Sequence, residues 1–263
     1  VSASVHIVGW RIMSASDFRI VSHFSCGAAS AVATKMTLDA NPGKDIVIFY
    51  AETGAEDVDN VRFLDDCQVW FGRSVTRLRS EKYKDTWDVW EKKRYLSGIK
   101  GAPCTTELKI ASRLRVQRPD DIHVFGYTSD FSDMRRAEVF REHWPEMTIS
   151  TPLIDAGISK KACLAIISNV GIVPPRTYAM GFPNANCIPC VKAQSPAYWS
   201  LVRQEYPMEF RRMTELSHRF GAKLARLKGE RIFIDDIPSD FPTVDPIAPE
   251  CDLLCQMVFQ DLK

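Results

Sequence analysis

Two close pairs of cysteines carry the plainest chemical signal in this sequence. Cys187-Ile188-Pro189-Cys190 brings two thiols onto one turn. Cys251-Asp252-Leu253-Leu254-Cys255 sets two more at i and i+4, on one face if that segment is helical. Four converging thiolates suit tetrahedral zinc or a 4Fe–4S cluster, and softness alone does not choose between them. Burial, or a redox-sensitive disulfide, is the other fate of such pairs. Cys26, Cys67, Cys104 and Cys163 stand alone. Cys67 and Cys163 fall on apolar helix faces and read as core residues, and Cys26 reads as structural.

A second constellation is Phe24-Ser25-Cys26-Gly27-Ala28-Ala29-Ser30, between a strand pattern and a helix pattern. Gly27 lets a backbone approach a ligand, and a helix N-terminus offers free N–H groups and a positive dipole end. Ser25 and Ser30 add hydroxyls. The segment is a phosphate or sulfate cradle in chemical terms, or else a tight turn with a serine cap. It is neither a Walker loop nor a GxGxxG motif.

The elements that must position these groups alternate. Strand patterns at 19–24, 45–50, 75–78, 122–127 and 147–151 are separated by helix patterns at 28–38, 57–71, 87–96, 105–115 and 133–143. The 57–71 helix is expected to bury Val58, Val61, Phe63, Leu64, Val69 and Trp70. Ser159 is expected to cap a helix running to about Val170. Such βαβ alternation predicts an α/β fold with a doubly wound, mostly parallel sheet covered on both faces. After Gly171 come irregular proline-rich segments, helices at about 196–205 and 208–220, and a tail from Arg231 to Glu250. The expected organisation is an α/β domain over 1–171 that carries the cradle. A helical, cysteine-bearing extension over 172–263 packs on it.

The chain has 263 residues, 45% hydrophobic and 25% charged, with net charge +1. That balance excludes a disordered chain and gives no global argument for nucleic acid. No run reaches the roughly 18 apolar residues of a membrane span. Eight cysteines without a secretory pattern predict a cytoplasmic protein and no membrane partner. Arg113, Arg115, Arg118, Arg211, Arg212, Arg219, Lys223, Arg226, Lys228 and Arg231 make the chain locally basic. They read as the wet faces of helices, with a nucleic-acid surface as the alternative. The His residues lack HxxxH or HExxH spacing, and His23 in its strand reads as core.

Several ordered motifs carry a family resemblance. Ser-x-Gly-x-x-Ser after the first strand resembles the PP-loop of the adenine nucleotide alpha-hydrolase superfamily. Tyr50-Ala51-Glu52-Thr53-Gly54-Ala55-Glu56 resembles the second-strand motif of its phosphoadenosine phosphosulfate (PAPS) reductase branch. Pro103-Cys104-Thr105-Thr106-Glu107-Leu108-Lys109 is similar to that branch's Cys…Leu-Lys segment, and Gly126-Tyr127 followed by Arg135-Arg136 also fits. The Asn184–Lys192 segment, Tyr198-Trp199 and the terminal Cys-x-x-x-Cys resemble accessory, phage- or plasmid-borne PAPS-reductase-like proteins, including relatives beside some CRISPR systems.

The resemblance implies an adenine nucleotide (PAPS, APS or ATP) at the C-terminal edge of the sheet, which makes 1–171 the nucleotide-binding domain. It would lie over Ser25, Cys26, Gly27, Ala28 and Ser30, beside Glu52, Thr53 and Gly54. Lys109, Arg135 and Arg136 would meet sulfate or phosphate. It implies a 4Fe–4S cluster, with zinc as alternative, on Cys104, Cys187 and Cys190, the fourth ligand being Cys255 or Cys251. Glu250-Cys251-Asp252-Leu253 resembles a reductase tail whose cysteine attacks sulfur, which makes Cys251 a catalytic candidate, although Asp252 replaces Gly and Leu254 stands at the His position. Ala29 replaces the Asp common in ATP-using members, which moves weight toward a sulfonucleotide.

The leading expectation is a PAPS-reductase-like protein of sulfur chemistry, with a thioredoxin-type reductant if it is a reductase. The alternatives are an ATP-dependent sulfurtransferase thiolating a nucleic acid, and a non-catalytic accessory protein of a mobile element. A homo-oligomer remains compatible with each.

Overall fold

Short β-branched runs too apolar for a solvated face need cover on both sides, and a parallel sheet supplies it. The computed structural model describes residues 18–99 and 101–250. Its first half runs β1 (Ile20–His23), α1 (Ala28–Ala40), β2 (Ile46–Ala51), α2 (Asp59–Phe71), β3 (Thr76–Leu78) and α3 (Thr86–Lys93). A π-helical stretch (Thr105–Ile110) then leads into α4 (Ala111–Leu114). Next come β4 (Ile122–Phe125), α5 (Phe131–His143), β5 (Thr148–Ser150), α6 (Pro152–Asp155) and α7 (Lys160–Asn169). The last elements are α8 (Arg176–Ala179), α9 (Pro196–Glu205), α10 (Pro207–Arg219) and a hairpin of β6 (Ala225–Leu227) and β7 (Glu230–Ile232).

The five-stranded sheet has the order β3-β2-β1-β4-β5, and every pairing is parallel. The chain leaves β1 toward β2 on one side, while β4 pairs on the other. That reversal makes the C-terminal ends of β1 and β4 the topological switch point of the sheet, where ligands of such folds bind. On one face Ile20, Ile46, Ile48, Tyr50 and Val124 pack with α1, α2 and α7 in the larger core. On the other, Val21, Phe49 and Leu78 pack with Val116, and Phe125 meets Phe140 of α5 at 4.9 Å between ring centres. His23 and His123 also lie there, with Nε2 and Nδ1 3.0 Å apart. Burial pushes both imidazoles down, His23 to about 3 and His123 to about 4. Both are neutral at pH 7; His123 is buried, whereas His23, expected in the core, is half-buried.

A second core joins Trp87, Trp90 and Leu108 to Phe182, Ile188, Val191, Trp199, Leu216 and Ile234. It draws on chain both before and after residue 172. Its building blocks are α3 and the π-helical stretch on one side, and α9, α10 and the hairpin on the other.

Three expectations change. The buried stripe of α2 is Asn60, Phe63, Leu64, Cys67 and Phe71, at helical spacing. Val58, Val61 and Val69 point to solvent, at 75%, 51% and 84% exposure. Arg113 is buried and not part of a basic surface: its guanidinium lies over the Trp144 ring at 4.5 Å. Arg231 does not open the tail but sits in β7, and the irregular chain begins after a 3-10 turn (Ile234–Asp236). That tail is tied to the body, with Arg203 donating to the Ile237 and Pro238 carbonyls at 2.9 and 2.7 Å. Among the described residues no helix is long and apolar enough to cross a membrane.

Gly126 sets how closely the exit of β4 approaches α1. A Cβ there would lie 2.7 Å from both Cα and N of Ser30 and 2.9 Å from the Ala29 carbonyl carbon. All three are backbone atoms on a packed helix. Gly126→Ala is therefore expected to destabilise the fold by about 1–3 kcal/mol. The readout is a lowered urea midpoint at unchanged m-value; an unchanged midpoint would show that the two loops are not in contact.

Candidate functional site: a sheet-edge crevice and a thiol centre

Ser30 organises the loop after β1. Its hydroxyl donates to the Gly27 carbonyl at 2.9 Å. It accepts from the Ser25 N–H at 3.0 Å, the Gly27 N–H at 3.4 Å and the Ser25 hydroxyl at 3.1 Å. Cys26 takes φ +56 so that its thiol turns inward beside Tyr50. Burial pushes that thiol up to about 12, so Cys26 contributes backbone and no nucleophile. The Ala28 N–H, first in α1, donates to the Tyr178 hydroxyl at 3.2 Å. Tyr178 also takes the Ala185 N–H, and burial raises its phenol to about 12, so it stays neutral. Sequence reading missed Tyr178 because it lies 150 positions from Ala28 in the chain and in no local motif.

The loop after β2 closes on itself. Thr53 donates to Glu56 Oε1 through its N–H at 2.8 Å and its hydroxyl at 2.6 Å. Gly54 takes φ +71, and a Cβ there would lie 2.8 Å from Asp85 Cβ. Glu52 is engaged twice over: Arg77 and Arg79 each donate two hydrogen bonds to it, at 2.6–3.0 Å. Burial alone would raise the Glu52 carboxyl, but Arg79 and Arg77 hold it below the usual carboxylate range. Glu52 thus steadies two cations at the sheet edge, and neither was singled out from the sequence. The signal available was two arginines at i and i+2, Arg77 within β3 and Arg79 just beyond it, which share one face of an extended chain.

Beyond β4, Arg136 donates to Asp133 at 2.7 Å and lies 5.4 Å from the Tyr127 ring centre. Arg135 is exposed on the same helix. Lys160, at the start of α7, donates from Nζ to Asn184 Oδ1 at 3.0 Å and from its N–H to Asp130 at 2.9 Å.

The segment from Tyr178 to Cys190 crosses this edge as a strap. Tyr178 ties it to the β1 loop. Asn60 Nδ2 donates to the Ala185 carbonyl at 3.1 Å, and the Ile188 N–H donates to the Ala55 carbonyl at 2.8 Å. Cys187 and Cys190 are thereby carried to the same edge as the β1 loop. Their thiols are hydrogen-bonded to one another, and Tyr198 accepts the Cys190 N–H at 2.7 Å. Cys104 and Lys109, from the π-helical stretch and the residue before it, lie within electrostatic reach of both.

The pair is asymmetric. The Cys187 hydrogen bond, the Lys192 N–H and the Lys192 and Lys109 ammonium groups hold Cys190 below the ordinary thiol value. The hydrogen bond to Cys190 and burial push Cys187 above it. Burial also raises Cys104, against the Trp90 indole, which favours its thiolate. The Trp90 N–H has no full hydrogen-bond partner.

Cys104, Cys187, Cys190 and Lys109 are thus brought together, whereas Arg135 and Arg136 stand on α5. Three soft donors with two ammonium groups nearby suit an anionic iron–sulfur cluster or zinc in their chemistry. Among the described residues no group of three or more Cys, His, Asp or Glu side chains has the geometry to hold a metal ion. A closed set would need a further ligand, and Cys251 and Cys255 lie outside the described residues. Cys67 and Cys163 are fully buried with raised thiols, as core residues. No protein-family model matches this chain, and no curated protein sequence does.

The thiols should differ in reactivity. In reduced, metal-free protein, iodoacetamide at neutral pH is expected to modify Cys190 first among the six described cysteines and to leave Cys26, Cys67 and Cys163 untouched until unfolding. Peptide mass spectrometry reads the order, and uniform labelling would contradict the asymmetry.

Proposed function

We propose that this is a PAPS-reductase-like protein of the adenine nucleotide alpha-hydrolase class, which binds an adenine nucleotide and acts on its sulfur. The observation that carries the reading is the strap, which brings Cys187 and Cys190 to the sheet edge where the Ser25–Ser30 loop begins α1. The nucleotide would lie in the crevice between the β1 and β4 exits. Its phosphates would meet the first turn of α1, with Arg77, Arg79 and Lys160 as the cations of that edge. Lys109 would face the sulfate from the thiol side.

Cys104, Cys187 and Cys190, completed by Cys251 or Cys255, would hold the 4Fe–4S cluster, with zinc as the alternative. A bound cluster would tune the electrostatics of the thiols and lysines around it. The remaining work belongs to this chain's own groups. As a reductase, with Cys255 as the fourth ligand and Cys251 free, the Cys251 thiolate would attack the sulfate sulfur and displace the nucleotide phosphate, leaving a cysteine S-sulfonate. A thioredoxin-type dithiol would then reduce that bond, releasing sulfite and becoming a disulfide.

Two measurements test the reading. Calorimetric titration with PAPS, APS and ATP should show one nucleotide bound, and Gly27→Val should weaken it by about tenfold or more. The new side chain would press on the Tyr178 hydroxyl, 3.2 Å from the Cβ position. Unchanged affinity would remove the loop from the site. Anaerobically purified protein should carry about four irons and about four sulfides, lost together in Cys187→Ser/Cys190→Ser. A single zinc would select the alternative, and metal-free wild-type protein would overturn both.

A further inference from the structure

The geometry points to a second anion site apart from the sheet-edge crevice: a cleft that grips the phosphodiester backbone of single-stranded nucleic acid beside Cys190. The cleft has a volume of about 540 Å³, and its walls include Ser97, Gly98, Gly101, Lys192, Lys223 and Arg231. Among the described residues no carboxylate lines it. All three cations are exposed. Lys223 lies 5.7 Å from the Phe233 ring centre, and Arg231 donates to the Leu224 carbonyl at 3.3 Å, so neither contact neutralises its charge. At Gly101, and at Gly221 on the opposite wall, nothing stands within 4 Å of a Cβ position. Backbone is therefore open to a close-lying ligand.

The hairpin extends the charge outward. Arg226 and Arg231 are direct cross-strand partners in the β6–β7 ladder. Like charges placed opposite one another destabilise a two-stranded ribbon. Arg226 turns to the Gly229 carbonyl at 2.7 Å and not to a carboxylate. Lys228, at the turn, is exposed. An extended polyanion laid across this face removes the repulsion, and charge continuing out of the cleft favours a strand over a single phosphate.

The cleft also has a fixed relation to the thiols. Val191 and Lys192 follow Cys190 directly. The Ala193 N–H donates to the Cys190 carbonyl at 2.9 Å, and the Ser97 hydroxyl donates to the Val191 carbonyl at 2.7 Å. A strand in the cleft would therefore lie along the Val191–Lys192 backbone that continues directly from Cys190. The inference needs neither nucleotide in the crevice nor metal on the thiols, so it can fail or hold independently of the proposed function.

The test is fluorescence anisotropy with labelled single-stranded DNA and RNA of about 12 nucleotides. Binding is expected at low salt, and Lys192→Gln/Lys223→Gln/Arg231→Gln should weaken it by about tenfold or more. The slope of log affinity against log salt should fall by about 2, since each neutralised phosphate contributes roughly 0.7. A charge-matched control, Lys35→Gln/Lys92→Gln/Lys161→Gln, removes lysines already paired with Asp39, Asp88 and Glu250. It should keep affinity within about twofold. Equal losses in both variants, no loss in the first, or no binding at low salt would overturn the cleft. So would displacement of the strand by AMP at equal phosphate concentration, which would make it a mononucleotide site.

Discussion

The buried carboxylate of Asp57 is the joint on which the two halves of this molecule depend. Its side chain is 1% exposed. It accepts two hydrogen bonds from Arg176, at 2.8 and 2.9 Å, one from the Tyr206 hydroxyl and one from the Asp59 N–H at 2.9 Å. Burial alone would raise this carboxyl; Arg176 and Tyr206 outweigh it and hold it below the usual range. Tyr206 begins α10 and packs on the second core, while Arg176 begins α8, just before the strap. A carboxylate stripped of such partners costs about 3–5 kcal/mol when the pair is buried, and less where one partner is open to water, as Arg176 is. The loop carrying Asp57 also holds Ile188 through Ala55 and Thr86 through Thr53. One exit from a parallel strand thus anchors α3, α8, the strap and α10 together.

That anchoring decides what the cysteines can do. A Cys-x-x-Cys pair on a free loop would be a mobile thiol pair. Here the Ile188 N–H is fixed to Ala55 and the Cys190 N–H to Tyr198, so both ends of the pair are bound to separate elements. The thiols then sit in a low-dielectric wall with two ammonium groups as their nearest compensation. Burial of that kind favours neutral thiols unless a partner charge is supplied. The hydrogen bond between the two thiols is the main origin of the asymmetry, and Lys192 and Lys109 add to it on the Cys190 side. Pre-organisation of this sort is what a metal or a reacting sulfur requires, and it comes from backbone hydrogen bonds more than from the cysteines themselves.

Much of the frame could be read from residue pattern. The alternation of strands and helices, the turn at Ser25–Ser30 and the Cys187–Cys190 pair are local features, each set by a few neighbouring residues. What could not be read depends on partners far away in the chain. Tyr178 on Ala28 and Arg77 and Arg79 on Glu52 belong to no shared motif. The α2 stripe was misassigned because Val58, Val61 and Val69 are apolar but lie off the 3.6-residue repeat that Phe63, Leu64, Cys67 and Phe71 keep. Hydropathy without phase placed them inward. The β6–β7 hairpin escaped notice because its turn is Lys228-Gly229 and not the stronger Asn-Gly signal, although Lys228 adopts φ +49 and Gly229 φ +88 as such a turn requires. Arg113 was assigned to the surface by its charge, and only the Trp144 ring beside it explains its place inside.

Net charge is a poor guide to this protein because so many of its cations are already committed. Arg62 answers Asp59 and Asp66, Arg19 answers Asp121, Arg219 answers Glu91, and Arg77 and Arg79 share Glu52. A +1 total therefore conceals an uneven distribution of uncompensated charge. Lys192, Lys223 and Arg231 stand in one cleft that no carboxylate among the described residues lines, while the sheet edge keeps Arg77 and Arg79 in a fork that a single carboxylate only half neutralises. The Cys187–Lys192 segment runs from the strap that is tied to the β2 loop through Ala55 to the cleft that Lys192 lines, so the proposed nucleotide and strand would meet at the thiols. That arrangement is the physical reason to regard the segment as a meeting point of ligands and not as a loop that merely happens to carry sulfur.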